Sequence, residues 1–293
     1  MSEAQAALGL DGAPARYGVR RRLRDNRAAI GAAILLAVLA LLAIFGPYVS
    51  PYSYAALDWR HLAIPPGRTA SHWLGTDPLG RDLYVRTLYG LRLSLLIGVL
   101  ATAVSVGIGV AWGAIAGYVG GRADSWMMRA VDVLYALPYL FVVIILATVF
   151  GRGSIAMLLL AIGAVGWLTM ARVVRGQTLS LERREFIEAA RATGLGTAAI
   201  LVRHIVPNLA GTVAVYATLT IPELITYESF LSFLGLGVQE PLASLGSLIN
   251  EGARQMLTAP WLLLVPAGVL TALLLCFNLI GDGLRDAFDP AAH

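Results

Sequence analysis

The run Ala28–Val49, AAIGAAILLAVLALLAIFGPYV, decides the class of this chain. It carries no charge over 22 residues. A helix rises about 1.5 Å per residue, so roughly 20 apolar residues cross the hydrocarbon core of a bilayer. Six arginines precede the run: Arg16, Arg20, Arg21, Arg22, Arg24 and Arg27. A cleaved signal peptide has a similar basic start, but its apolar part is only about 7–15 residues long and small cleavage residues follow. Here the run is longer and closes on Gly46-Pro47-Tyr48, so it reads as a retained first span.

The rest of the chain repeats the pattern. Further apolar runs fall at about Leu93–Tyr118, Trp126–Phe150, Ser154–Val174, Asn208–Leu234 and Trp261–Ile280. The expected fold is therefore all-α, an integral membrane protein of six transmembrane helices. Composition agrees: 58% of the 293 residues are hydrophobic and 14% are charged, with a mean hydropathy of +0.73. Soluble domains carry roughly 25% charged residues. All 22 basic residues are arginine, and the net charge of +4 suits an anionic membrane surface better than nucleic acid, because no soluble domain gathers the arginines.

Six spans put both termini on one side. With the termini inside, 15 arginines lie in inner segments and 7 in outer ones, which by the positive-inside rule places both termini in the cytoplasm. The expected organisation is a cytoplasmic arm (residues 1–27), a first span (28–49), an outer loop (50–90), a core (91–282) containing an inner loop at 175–207, and a cytoplasmic tail (283–293).

Within the spans, Gly109, Gly113, Gly117 and Gly121 recur every fourth residue and form a smooth stripe that lets another helix approach closely. Pro138, Pro222 and Pro266 each remove a backbone hydrogen bond and can bend a helix. Asp132, Glu223 and Glu228 are ionisable residues inside spans, so they either pair within the bundle or line a polar path. Glu228 is the candidate for that path. Cys276, alone in an apolar run, reads as a small buried residue. No metal-ligand set is read from the sequence, and none of the four histidines falls inside an expected span.

The inner loop is the most unusual stretch. Residues 181–193 are charged helix formers, Gly194 and Gly196 are expected to stop that helix, and a second helix is expected over Thr197–Ile205, ending before Pro207. Small Ala189 and Ala190 beside charged Glu188 suit a groove on another protein. They equally suit an ordinary amphipathic surface loop.

Glu188-Ala189-Ala190, followed by Gly194 and by Pro207, resembles the cytoplasmic "EAA" loop of bacterial ABC importer permeases. That pattern usually has Ile three residues before the proline and Leu directly before it, where this chain has His204 and Val206. The stretch Leu74-Gly-Thr-Asp-Pro-Leu-Gly-Arg-Asp82 is similar to the outer segment of the dipeptide and oligopeptide permease family. So are the stretches Glu228–Pro241 and Asn278–Ala287, while Met170–Ser180 is similar to the oligopeptide C-type subunit in particular.

The resemblance implies a type I ABC importer permease bundle in the bacterial inner membrane, carrying oligopeptides or dipeptides. It implies as partners a homologous second permease, two ABC ATPase subunits and an extracytoplasmic peptide-binding protein. Glu188, Ala189, Ala190, Gly194 and Pro207 would couple to an ATPase, and Asp77, Arg81 and Asp82 would contact the binding protein. No P-loop is present, so the chain itself is expected to be non-catalytic and without cofactor, with ATP and magnesium used by the partner ATPases. Nickel or glutathione as cargo, an ion-gradient-driven transporter and a membrane enzyme are the alternatives.

Overall fold

The computed structural model describes residues 25–149 and 155–288. The basic arm upstream of Asp25, Arg152 and the last five residues lie outside them. Every named element is helical: α1 (Arg27–Phe45), α2 (Leu83–Val119), α3 (Gly121–Ala136), α4 (Tyr139–Val149), α5 (Ile155–Glu182), α6 (Glu185–Ala192), α7 (Thr197–Ile200), α8 (Val206–Phe233), α9 (Leu245–Arg254) and α10 (Trp261–Phe288). A 3₁₀ turn at Gly46–Tyr48 ends the first apolar run. Five stretches of described helix are long and apolar enough to cross a membrane: Arg27–Tyr48, Leu83–Val119, Leu158–Glu182, Thr197–Phe233 and Trp261–Phe288.

The expected third span is the exception. Leu137 lies in extended conformation (φ −76°, ψ 135°), as a residue before proline prefers, and Pro138 follows it. The apolar run is thereby split into α3 and α4. The first of these is polar enough to bind α5 through two ion pairs, Arg172 to Asp132 at 2.8 Å and Arg175 to Asp124 at 2.5 Å. Asp132 thus spends its charge on a neighbouring helix.

Several helices outrun their apolar cores. α2 starts eight residues inside the expected outer loop, because the Asp82 side chain caps it by accepting the Val85 N–H at 2.9 Å. α5 continues to Glu182 and α10 to Phe288, so part of the expected inner loop and tail is helix.

Pro207 ends no helix. The chain passes from α7 through a π-turn at Leu201–Ile205, which includes His204, directly into α8. The Val206 N–H reaches back five residues to the Leu201 carbonyl, which widens the turn where proline offers no N–H. Asn208 Nδ2 donates to the His204 carbonyl at 2.6 Å and satisfies it from the side.

The most extensive contact between two described helices joins α2 to α5. A Cβ placed on Gly109 would lie 2.9 Å from the Trp167 carbonyl, one on Gly113 2.9 Å from the Arg175 amide, and one on Gly117 2.8 Å from Thr178 Cβ. The paired positions rise together along both chains, so α2 and α5 run parallel. Gly121, expected in the same stripe, is not part of it. It follows Gly120, and both have positive φ (57° and 65°), turning the chain out of α2 into α3.

Three large apolar clusters and two smaller ones lie around this pair. Ile97, Ala101, Val143, Leu158, Ile162 and Leu224 join α2, α4, α5 and α8. Leu39, Leu88, Ile225, Leu245 and Leu273 bring in α1, α9 and α10. The third large cluster sits under α6 and is described below. Cys276 is buried, as expected.

Gly113→Leu should destabilise the chain by ~2 kcal/mol, since its side chain meets α5 backbone that cannot move aside. Gly107 has open space around it, so Gly107→Ala should be neutral or slightly stabilising. Thermal unfolding of both variants in one detergent checks the contrast.

Candidate functional site

The inner loop is built from a short amphipathic helix. Arg184, extended at φ −84° and ψ 142°, sits at its N-cap, and two residues separate it from the end of α5. Its C-terminus is a Schellman motif: Leu195 N–H donates to the Ala190 carbonyl at 3.2 Å, and Gly194 N–H to Arg191 at 3.0 Å. The motif needs a left-handed residue, and Gly194 has φ +80°. Gly196, also expected to stop this helix, instead caps α7 at an ordinary φ of −71°.

The two faces of α6 differ. Ile187 and Ala190 are buried with Tyr118 of α2, Met170 and Val174 of α5, Ile200, Ile205 and Leu209. Arg191 reinforces the seat. Its Nε donates to Tyr118 Oη at 3.2 Å, its Nη2 donates to Glu182 at 2.8 Å, and its guanidinium lies 4.9 Å from the Tyr118 ring centre. Glu185, Phe186, Glu188, Ala189 and Ala192 face outward. The adjacent alanines therefore divide: Ala189 is presented, and Ala190 packs on its own bundle. Pro207 stands at the head of α8, just past the π-turn.

α2 is 37 residues long, about 55 Å by helical rise, and α6 lies against its last turn. The outer loop lies against its first. There Asp77 and Asp82 are each only 3% exposed. Asp77 accepts from the Leu79 and Arg81 amides, both at 2.9 Å, and pairs with Arg81 Nε at 2.5 Å. Asp82 caps α2 and takes the His72 ring at 2.8 Å. Neither carboxylate is free to meet a partner, because both are consumed in holding the loop. Arg81 continues to Glu240 at 2.9 Å, and buried Arg86 pairs with Glu251 at 3.0 Å. The Arg81 hydrogen bond holds the Glu240 carboxyl below its usual range, while burial pushes that of Glu251 up.

Glu228 is fully enclosed. Ser94 and Ser232 each donate to its carboxylate at 2.8 Å, and Ser229 at 3.4 Å. Ser94 also accepts the Leu245 N–H at 3.3 Å, so the carboxylate ties α2, α8 and α9 together. With its side chain at 0% exposure, Glu228 lines no open path in this conformation. Glu223 instead accepts from Tyr227 at 2.9 Å on the exposed side of α8.

Sequence reading missed Tyr118, Arg86 and Glu251. Tyr118 is only the last residue of an expected span, and Arg86 one outer arginine among several. Glu251 stands 165 positions from Arg86, beyond any local spacing rule.

Gly194→Ala should loosen the end of α6 by ~1 kcal/mol, because alanine in left-handed backbone is strained. Gly196→Ala should be tolerated. Hydrogen exchange at the Leu195 amide reads the difference.

Residues 109–293 match the family described as binding-protein-dependent transport system inner membrane component. Residues 17–66 match the N-terminal TM domain of oligopeptide transport permease C. The oligopeptide transport system permease protein OppC of Haemophilus influenzae is 49% identical, over 96% of this chain and 90% of its own length. That of Escherichia coli K12 is 51% identical over 92% of this chain and 89% of its own. The dipeptide transport system permease protein DppC of Bacillus subtilis is 44% identical over 92% and 84%. The chain belongs to the inner membrane components of binding-protein-dependent transport systems, in the branch of the oligopeptide permease C proteins.

Proposed function

We propose that the chain forms half of the translocation path of an ATP-driven peptide importer, and that α6 is the lever through which separate ATPase subunits move it. One observation carries the reading. α6 shows Glu188 and Ala189 to the outside, while Ile187, Ala190 and Arg191 fasten it to α2, α5 and α8. A small-residue face beside a carboxylate suits a groove lined by arginine or lysine. Closure of two ATPase subunits around such a helix would then shift the bundle between inward- and outward-open states.

Six crossings with both termini in the cytoplasm complete the proposal. The parallel course of α2 and α5 supports it, since the chain between them must return through α3 and α4. The clustering of Arg183, Arg184, Arg191 and Arg203 at the α6 end supports the orientation. Oligopeptides or dipeptides are the proposed cargo, as the names of the relatives suggest. A homologous permease and an extracytoplasmic binding protein are the remaining partners. With Asp77 and Asp82 buried, exposed Trp59 and Trp73 of the outer loop are the better surface for the binding protein. The intramembrane carboxylates give an ion-gradient mechanism little to use, because Asp132 is paired with Arg172 and Glu228 is sealed by serines.

In proteoliposomes holding the assembled complex, Glu188→Lys should lower ATP-driven peptide uptake and binding-protein-stimulated ATP hydrolysis at least tenfold without loss of assembly. Wild-type values for both would overturn the lever.

A further inference from the structure

The outer loop brings together three side chains that lie up to 14 positions apart in sequence, Asp58, His61 and His72. Each offers a ligand-type atom within 4.8 Å of the others. Sequence reading named no metal ligands, because the spacing matches no common motif. Tyr52 stacks on the His72 ring at 4.1 Å, and the His61 ring meets it edge-on at 5.5 Å, so both imidazoles are fixed in orientation.

The chemistry at His72 is unfinished. Its side chain is wholly buried. Nδ1 lies 2.8 Å from Asp82 Oδ2, and a carboxylate that also accepts the Val85 N–H is an acceptor here, so Nδ1 carries the hydrogen. In the neutral ring Nε2 then presents a lone pair. That atom has no hydrogen-bond partner, yet it lies 3.5 Å from Asp58 Oδ2, another acceptor. The same Oδ2 lies 2.8 Å from His61 Nδ1, while Asp58 Oδ1 accepts the Arg60 N–H at 3.0 Å.

A cation resolves this arrangement. Zinc bonds of about 2.0–2.1 Å in tetrahedral geometry hold neighbouring ligand atoms about 3.3 Å apart, close to the 3.5 Å Nε2–Oδ2 separation, while the 2.8 Å between His61 Nδ1 and Asp58 Oδ2 is the hydrogen bond that a cation would replace. Asp82 stands behind His72 as the carboxylate that fixes tautomer and orientation behind a metal-bound histidine. His61 and Asp58 are 33% and 26% exposed, which leaves a way in from solution and room for water as a fourth ligand.

We propose that Asp58, His61 and His72 bind one divalent cation of the zinc class, which clips the outer loop to the start of α2. Two imidazoles and one carboxylate suit zinc better than magnesium or calcium, which prefer all-oxygen shells. The competing arrangement is an imidazolium at His72 shared between Asp82 and Asp58, which needs no metal.

The test uses the full chain in detergent, with a purification tag free of histidine, stripped with a chelator. Zn²⁺ is titrated calorimetrically, and Co²⁺ serves as a spectroscopic probe. One Zn²⁺ per chain, tetrahedral Co²⁺ absorption and a raised melting midpoint are expected. His61→Ala and Asp58→Asn should each weaken Zn²⁺ binding at least tenfold while the metal-free melting midpoint stays near wild type. These two positions are used because His72 is too deeply packed to replace safely. A wild-type chain that takes up no Zn²⁺ overturns the proposal in favour of the imidazolium. Unchanged affinity in both variants overturns it equally, by placing the ion elsewhere.

Discussion

The structure depends on the backbone-to-backbone approach of α2 and α5. Lipid gives apolar helices little reason to leave it for one another, so association rests on close packing. Gly109, Gly113 and Gly117 remove the side chains that would hold the two backbones apart, and the Ser105 hydroxyl adds a hydrogen bond to the Gly163 carbonyl at 3.3 Å. The consequences reach both ends of the molecule. At one end of α2, Asp82 caps the helix and anchors the outer loop. At the other, Tyr118 receives Arg191 and seats α6. Because α5 runs parallel to α2 and ends beside the same seat, the inner helix rests on a single rigid pair.

Five of the six expected spans were legible because the bilayer imposes a length, and three of the four stripe glycines because a helix imposes a period. Helix ends were less legible, since they depend on caps and not on hydropathy. Asp82 starts α2 inside a stretch that reads as polar loop, and α5 keeps its hydrogen bonds eight residues past Val174. Proline was the least legible signal. Pro138 splits an apolar run and Pro207 sits inside a continuous rod. The difference lies in the preceding turn, which is extended at Leu137 but widened to a π-turn before Pro207. Nothing in the residue itself distinguishes the two outcomes.

The candidate site was half legible. The helix expected in the inner loop is present, and Gly194 ends it in left-handed backbone. The two alanines were indistinguishable until the helix phase was known, and only then did Ala190 turn inward. The outer motif marked a real structure, whose aspartates turn inward. Its aspartates are acidic and lie in a loop, which suggests a surface, yet they are buried as caps and turn acceptors. The partners that bury them, Glu240 and Glu251 through the arginines and His72 directly, come from distant segments that no local pattern joins.

The same contacts indicate how the proposed lever would act. α6 is fastened to α2 and α5, which cannot slide past each other without breaking backbone contact. α8 is fastened to α2 at its far end, where Ser94 grips Glu228. A displacement of α6 is therefore blocked along the rigid pair and pinned at the distal joint. Between them lies the π-turn at Leu201–Ile205, beneath α6 and next to Pro207, where the helix already lacks one hydrogen bond and carries another on the Asn208 side chain. Bending there sacrifices the fewest backbone bonds. Motion imposed on the inner helix would thus appear as rotation of α8 about that turn, with the Glu228 joint as the opposing hold.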